Sequence, residues 1–268
     1  MKFDGTWKQP KKEKFKEACR KAIETDLKYF KTDADYCQFI SVNARPYQYT
    51  RIHGHYIKDN YPEMLTPNVL DICKASDAIG APSLYDVFGR QISAGSMLYL
   101  KVMTDMEKRF YLQKCKNIVE IGPGYGGLAN IIVNYVRVIK NSKLLEKYRL
   151  IDITESLDVA KLFLHKTNHN YEKFVFEDTD NITIGQDIDL VISNHCISEL
   201  DKNGIMFYIK HVIQHAEHAY FLTSFRDIMM MYYFIGQMAK HFKRIEILPE
   251  EPTFNQIKDN RIIICSKK

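Results

Sequence analysis

The chain has 268 residues, 46% hydrophobic and 26% charged, with 38 Lys or Arg against 33 Asp or Glu for a net charge of +5. Such proportions belong to a globular protein with a substantial core, and no repeat or low-complexity tract is present. No apolar run approaches the ~18 residues that cross a bilayer, and the polar start Met1-Lys2-Phe3-Asp4-Gly5 is no secretory signal, so a cytoplasmic location is the expectation.

Six cysteines (Cys19, Cys37, Cys73, Cys115, Cys196, Cys265) include no CxxC pair, which argues for free thiols rather than a zinc ribbon or disulfide framework. The positive excess is local. Residues 1 to 62 hold 13 Lys or Arg against 8 Asp or Glu, while the rest of the chain is balanced. An anionic substrate, a nucleic acid or a membrane surface would suit that asymmetry, but the lysines between Lys8 and Lys31 also fit one solvated helix face.

Residues 11 to 30 have helical periodicity, with Phe15, Ala18, Cys19, Ala22, Ile23, Leu27 and Phe30 on one side and lysines on the other. Arg45 to Tyr56 follows, dense in rings and donors, and is expected to be a loop that touches a ligand. Arg45, Arg51, His53 and His55 would hold phosphate or carboxylate there, while Tyr47, Tyr49 and Tyr56 stack on a ring. Docking by aromatic packing is the competing reading. Helices are expected near Pro67 to Ala75 and from Ser96 to Leu112. Arg90, Ser93 and Ser96 lead into the second of these, where a helix N-terminus could receive a carboxylate.

From residue 117 strands and helices alternate. Strands are expected at Asn117 to Ile121, Tyr148 to Ile153, Lys173 to Glu177, Leu190 to Ser193 and Ala219 to Ser224. Helical stretches lie near Gly127 to Ile139, Leu157 to Asn168, Asn203 to His215 and Asp227 to Phe242. That alternation predicts a doubly wound, mostly parallel α/β sheet with ligands at the carboxyl ends of its strands. Arg244 to Leu248 and Arg261 to Cys265 read as an antiparallel hairpin closing the sheet. Residues 1–87 would form an N-terminal helical cover that helps build an acceptor pocket, and 88–268 the core.

The richest signal is Val119-Glu120-Ile121-Gly122-Pro123-Gly124-Tyr125-Gly126-Gly127, a buried strand entering a glycine turn before a helix. Glycines there permit positive φ and a close approach of backbone to ligand. A dinucleotide-binding dehydrogenase has GxGxxG with an acid about 20 residues on. Here Asp152 follows Gly126 by 26 residues, and an acid, Glu120, precedes the first glycine. This pattern resembles the class I S-adenosylmethionine (SAM) methyltransferases, whose first motif is acid-x-Gly-x-Gly-x-Gly. Residues 88 to 225 further resemble a bacterial family of sugar O-methyltransferases associated with capsule and surface polysaccharide synthesis, through VEIGPGYGG, DLVISN-x-x-x-SEL and the helix before the first strand.

The resemblance implies a seven-stranded Rossmann-like methyltransferase sheet, SAM as donor with S-adenosylhomocysteine as product, and no metal. Glu120, Gly122, Gly124 and Gly126 would cradle the donor, and Asp152 would accept hydrogen bonds from both ribose hydroxyls. Asp178, within Glu177 to Asp180, would lie near adenine. Asn194 would complete the donor site, and Ser93 would approach the methionine carboxylate. The implied acceptor is a small molecule, a sugar, a nucleotide-linked sugar or a phosphoramidate, with no nucleic acid partner.

At the fourth strand, Asn194-His195-Cys196 ends a buried apolar run, where polar residues line sites rather than fill cores. His195 is the first candidate base because a neutral imidazole accepts a proton near neutral pH, and Glu199 is the second. Ser193-Asn194-His195-Cys196 stands where amino methyltransferases carry Asp-Pro-Pro-Tyr or Asn-Pro-Pro-Tyr, which favours a hydroxyl acceptor. His211 and His215 fall at i and i+4 without a third ligand. A nucleotide-dependent oxidoreductase and a noncatalytic nucleic-acid-binding module are the alternatives.

Overall fold

The computed structural model describes residues 9–40, 47–183, 187–252 and 260–267. Helices α1 (Gln9–Glu24), α2 (Ala34–Cys37), α3 (Tyr47–Asn60) and α4 (Pro67–Asp77) come first, followed by a small antiparallel pair, β1 (Leu84–Val87) and β2 (Arg90–Ser93). The long helix α5 (Ala94–Phe110) then leads into the alternating part. This part comprises β3 (Asn117–Ile121), α6 (Gly127–Asn134), β4 (Lys147–Asp152), α7 (Thr154–Thr167), β5 (Phe174–Asp178), β6 (Ile188–Asn194), α8 (Lys202–His211), β7 (Ala216–Thr223), α9 (Ile228–Met238), β8 (Arg244–Pro249) and β9 (Arg261–Ser266).

The seven strands from β3 onward form one sheet in the order β5-β4-β3-β6-β7-β9-β8. The first five run parallel, and β9 inserts antiparallel between β7 and β8. Strand order reverses between β3 and β6, so their carboxyl ends open a crevice at the switch point. Strands β3 and β6 are buried on both faces, which is why they read as continuous apolar runs rather than as alternation.

One face of the sheet is covered by α8 and α9, through Ile205, Ile209, Phe234 and Met238. The other carries the larger core, which runs without interruption from Phe15 and Leu27 through Leu100 and Leu128 to Ile264. That core crosses the expected boundary at residue 87.

A buried polar cluster ties the N-terminal helices to the rest. Asp77, at the end of α4, accepts hydrogen bonds from the Ser93 N–H and Oγ, each at 2.7 Å, and from Ser96 Oγ at 2.8 Å. The ammonium of Lys31, wholly buried, lies 3.6 Å from Asp77, donates to the Ser76 carbonyl at 2.7 Å and sits 5.0 Å over the Phe163 ring. Burial brings its pKa down to about 8, against the pull of Asp77.

One expectation is corrected. The segment from Tyr47 is a helix, α3, and not a loop. Tyr49, His53 and Ile57 recur at i, i+4 and i+8 and are all buried, and the Tyr49 and His53 rings meet at 4.2 Å between centroids, tilted by 39°. Helical burial, not ligand contact, explains that part of the aromatic run. The pair β1–β2 was also unforeseen. Its link is the two-residue turn Phe88-Gly89, with φ of 50° and 78°, the positive pair that tight hairpins use.

Candidate functional site

The turn after β3 places its backbone at the crevice. Gly122, Gly124 and Gly126 all take positive φ, at 70°, 55° and 80°. At Gly122 a Cβ would lie 2.4 Å from the Cys196 Cβ, so glycine is demanded by contact as well as by dihedral. The turn then opens α6 at Gly127.

Two adjoining hollows share Gly122, Gly124, Asn194 and His195 and so form one cleft at the carboxyl ends of β3, β4 and β6. The two sides hold about 830 and 900 Å³ with their open mouths, each within the ~300–1,000 Å³ typical of ligand pockets. Asp152, Thr179, Leu200 and Tyr208 line one side. Glu120, Tyr99, Ser224 and Asn260 line the other. Its roof comes from the N-terminal helices: Lys12 and Phe15 of α1, with Phe39 and Ile40 just after α2. Ile40 Cδ1 approaches to 3.0 Å of where a Cβ on Gly124 would stand.

Each acid of the cleft has a distinct environment. Asp152 ends β4, its Oδ1 accepting from the Ile153 N–H and its Oδ2 from Ser156 Oγ, both at 2.8 Å. Burial raises its carboxyl to about 6, although Ile153, Ser156 and Gly124 hydrogen bonds favour the charged form. Glu120 is 2% exposed and accepts from the Tyr148 hydroxyl at 2.8 Å. Burial lifts it to about 7, opposed by that hydrogen bond and reinforced by the charge on Asp152. Glu199 differs: it stands at the mouth, its side chain 42% exposed and 3.8 Å from Lys11 Nζ.

His195 follows β6 with a φ of 65°. A left-handed conformation costs a non-glycine residue about 1–2 kcal/mol, and it turns the ring into the cleft just where the strand ends. The backbone around it holds that geometry. The His195 N–H donates to the Leu222 carbonyl at 2.6 Å, which extends the β6–β7 ladder by one bond, and its own carbonyl accepts from Ser198 Oγ at 2.7 Å. The ring Nδ1 lies 3.3 Å from Ser224 Oγ. Next to it, Asn194 Oδ1 is buried with no hydrogen-bond partner, an expensive arrangement unless a ligand donates to it.

Of the residues expected to bind a donor, Glu120, Gly122, Gly124, Asp152 and Asn194 line the cleft, as do His195 and Glu199. Gly126 instead lets the turn pack, a Cβ there lying 3.0 Å from Leu164 Cδ1. Asp178 lies beside the lining residue Thr179, its Oδ1 accepting from the Asp180 N–H and its Oδ2 from the Thr154 hydroxyl. Ser93 is corrected: it caps α5 by accepting from the Ser96 N–H and donates to Asp77, so a carboxylate would find it engaged. Arg90 pairs with Asp71 at 3.1 Å.

The described residues of the expected acceptor-binding set all lie on α3. Tyr49 and His53 are buried in α3, while Tyr47, Arg51 and His55 are exposed on that helix and do not line the cleft. Arg45 lies outside the described residues. Among the described residues no group of three or more ligating side chains could hold a metal ion. No described helix is long and apolar enough to cross a membrane.

The sequence reading missed Lys12, Phe39, Ile40, Tyr208, Ser224 and Asn260, whereas Thr179 falls within the expected Glu177 to Asp180 segment. Lys12 sits among lysines that look uniformly solvated. Ser224 carried a detectable signal, since it follows β7, the parallel neighbour of β6.

No protein-family model matches the sequence, and no curated protein matches it. Solved structures with similar folds include a "putative class I S-adenosylmethionine-dependent methyltransferase" from Listeria monocytogenes, 17% identical, covering 63% of this chain and 59% of that one with a TM-score of 0.46. A "putative RNA methyltransferase" from Pyrococcus horikoshii is 12% identical over 65% of this chain and 84% of its own, with a TM-score of 0.46. A "putative O-methyltransferase" from Klebsiella pneumoniae is 12% identical, covers 82% of this chain and 98% of its own, and reaches a TM-score of 0.52. At such identity the likeness is one of fold, and the chain has the Rossmann-like methyltransferase fold.

Proposed function

We propose that the chain is a SAM-dependent O-methyltransferase whose acceptor is a hydroxyl of a sugar or nucleotide-linked sugar, of the kind used in surface polysaccharide assembly. One observation carries the reading: the glycine turn, Asp152 and His195, far apart in sequence, line a single cleft at the switch point. The sugar assignment rests on the sequence resemblance across residues 88 to 225.

The residues present fit a donor of this type. Gly122 and Gly124 bring bare backbone to the cleft lining, and the buried, unpartnered Asn194 Oδ1 calls for an N–H or O–H donor. Ionised Asp152 would accept from two ribose hydroxyls, while Thr179, Leu200 and Tyr208 would flank the base. SAM, when bound, supplies a methyl group on a positively charged sulfur, a good leaving group. The protein's tasks are therefore alignment and proton removal.

In this reading His195, which lines the cleft with Ser224 and Asn260, would withdraw the proton of an acceptor hydroxyl. Glu199, exposed and beside Lys11, is less suited to that role. Calorimetry with SAM and S-adenosylhomocysteine is the decisive test. Micromolar binding is expected, and failure of folded protein to bind either compound overturns the proposal. A mass-spectrometric screen of nucleotide sugars with SAM then identifies the acceptor by its gain of one CH2 group.

A further inference from the structure

We infer that Ser224 is a positioning residue for His195, holding the imidazole as the Nδ1–H tautomer so that Nε2 carries the lone pair. The inference rests on the reading of His195 as the base and assigns a role to a residue outside the glycine turn and the strand-end acids.

The two residues belong to one closed circuit of hydrogen bonds. Ser198 Oγ donates to the His195 carbonyl at 2.7 Å and accepts from the Ser224 N–H at 3.1 Å. Ser224 Oγ in turn lies 3.3 Å from His195 Nδ1. The circuit joins the ends of the neighbouring parallel strands β6 and β7, already bonded from the His195 N–H to the Leu222 carbonyl. With both backbones fixed, the Ser224 hydroxyl has only its own rotation left. With its backbone fastened at both the N–H and the carbonyl, the His195 ring meets Ser224 Oγ at Nδ1.

The direction of that contact decides the chemistry. A neutral imidazole is a base only at the nitrogen without hydrogen. If Ser224 Oγ accepts from Nδ1–H, Nε2 is the base. If it donates to Nδ1, Nε2 carries hydrogen and cannot act.

Only acceptance serves both protonation states without rearrangement, because the imidazolium formed on proton uptake donates from both nitrogens. In the step itself the acceptor O–H proton moves to Nε2, and the freed oxygen pair forms the C–O bond. The C–S bond breaks with its electron pair going to sulfur. Positive charge thereby passes from sulfur to the imidazole, whose Nδ1–H remains on Ser224 Oγ. The Ser224 proton is left to face the cleft, which this residue lines together with Asn260.

Long-range 15N–1H spectra of the imidazoles in the intact protein test this directly, at a pH well above the ordinary histidine value so that the rings are neutral. Comparison with His195→Asn picks out the His195 signals among the nine histidines. The wild type is expected to show a protonated Nδ1 and a bare Nε2. Ser224→Ala is expected to move the tautomer ratio toward Nε2–H by about three- to tenfold, the worth of one hydrogen bond, and Ser224→Thr to restore it. A wild type with hydrogen on Nε2, or a Ser224→Ala ratio equal to that of the wild type, overturns the inference. Should the alanine variant fail to fold, the wild-type spectrum alone decides. SAM calorimetry on the same samples keeps the two failures apart: absence of binding refutes the methyltransferase reading and leaves the tautomer result standing.

Discussion

The turn between β3 and α6 and the helix α3 are both dense in chemically expressive residues, yet they face opposite duties. The turn presents backbone to the cleft, with Gly122 and Gly124 at positive φ and no side chain in the way. Helix α3 presents rings and charges, but divides them between the core, where Tyr49 and His53 pack together, and solvent, where Tyr47, Arg51 and His55 lie. A site depends on what the backbone can bring within reach. An inventory of reactive side chains has no such constraint.

The contrast can be broken by experiment, most severely at the strand end that completes the turn's cleft. His195→Ala should lower methyl transfer to an acceptor found by screening about 10²–10⁴-fold, the usual worth of a general base, while SAM affinity stays close to that of the wild type. Equal turnover would remove His195 from the mechanism. Gly122→Ala combines a positive φ with a clash against Cys196, and urea unfolding should show a loss of about 2–4 kcal/mol. A loss below the usual scatter of surface substitutions would mean the turn relaxes freely.

Asp152→Ala should weaken SAM by about tenfold to a hundredfold, the worth of one or two hydrogen bonds to a charged group. Because the free Asp152 carboxyl is held at about 6, SAM affinity in the wild type should climb as pH rises from 5 to 7, and that climb should vanish in the variant. Calorimetry across pH checks both statements.

Glu120 yields a stability prediction of its own. Its folded carboxyl, near 7, lies above its ordinary value of 4.5, so the folded state binds the extra proton between those two values. Its contribution is complete below the lower value and is lost as pH rises through the upper one. Glu120→Gln should flatten that decline in urea midpoints between pH 5 and 8, whereas an unchanged slope would place the titration elsewhere. The smallest effects belong to α3: Arg51→Ala and His55→Ala should each stay within about 0.5 kcal/mol in stability, with SAM affinity unaltered. A large loss of SAM affinity there would erase the contrast drawn between the two regions.

The sheet was legible in the sequence because β3 and β6, buried on both faces, leave long apolar runs, and because a glycine turn needs a narrow set of residues. The antiparallel pairing of β8 with β9 was legible from two strand-like runs separated by a segment with Pro249 and Pro252. The roof was not. Phe39 and Ile40 follow a helix of only four residues, too short for any periodicity, and Lys12 is one lysine among many. Ser93 misled because an N-cap serine and an anion-binding serine look alike until Asp77 is placed beside it. In α3 the period of burial was present in Tyr49, His53 and Ile57, but the density of donors drew attention to chemistry instead.

The roof formed by Lys12, Phe15, Phe39 and Ile40 makes the N-terminal helices a thermodynamic partner of whatever occupies the cleft. Linkage is reciprocal, so an occupant that touches α1 disfavours the open state of α1 by the same factor by which opening α1 weakens the occupant's binding. Lys16 and Arg20, at 3.0 and 4.0 Å from Glu155 on α7, fasten this helix by partly exposed ion pairs that salt weakens. Ionic strength thereby becomes a dial on affinity, set by residues that never meet the reacting atoms.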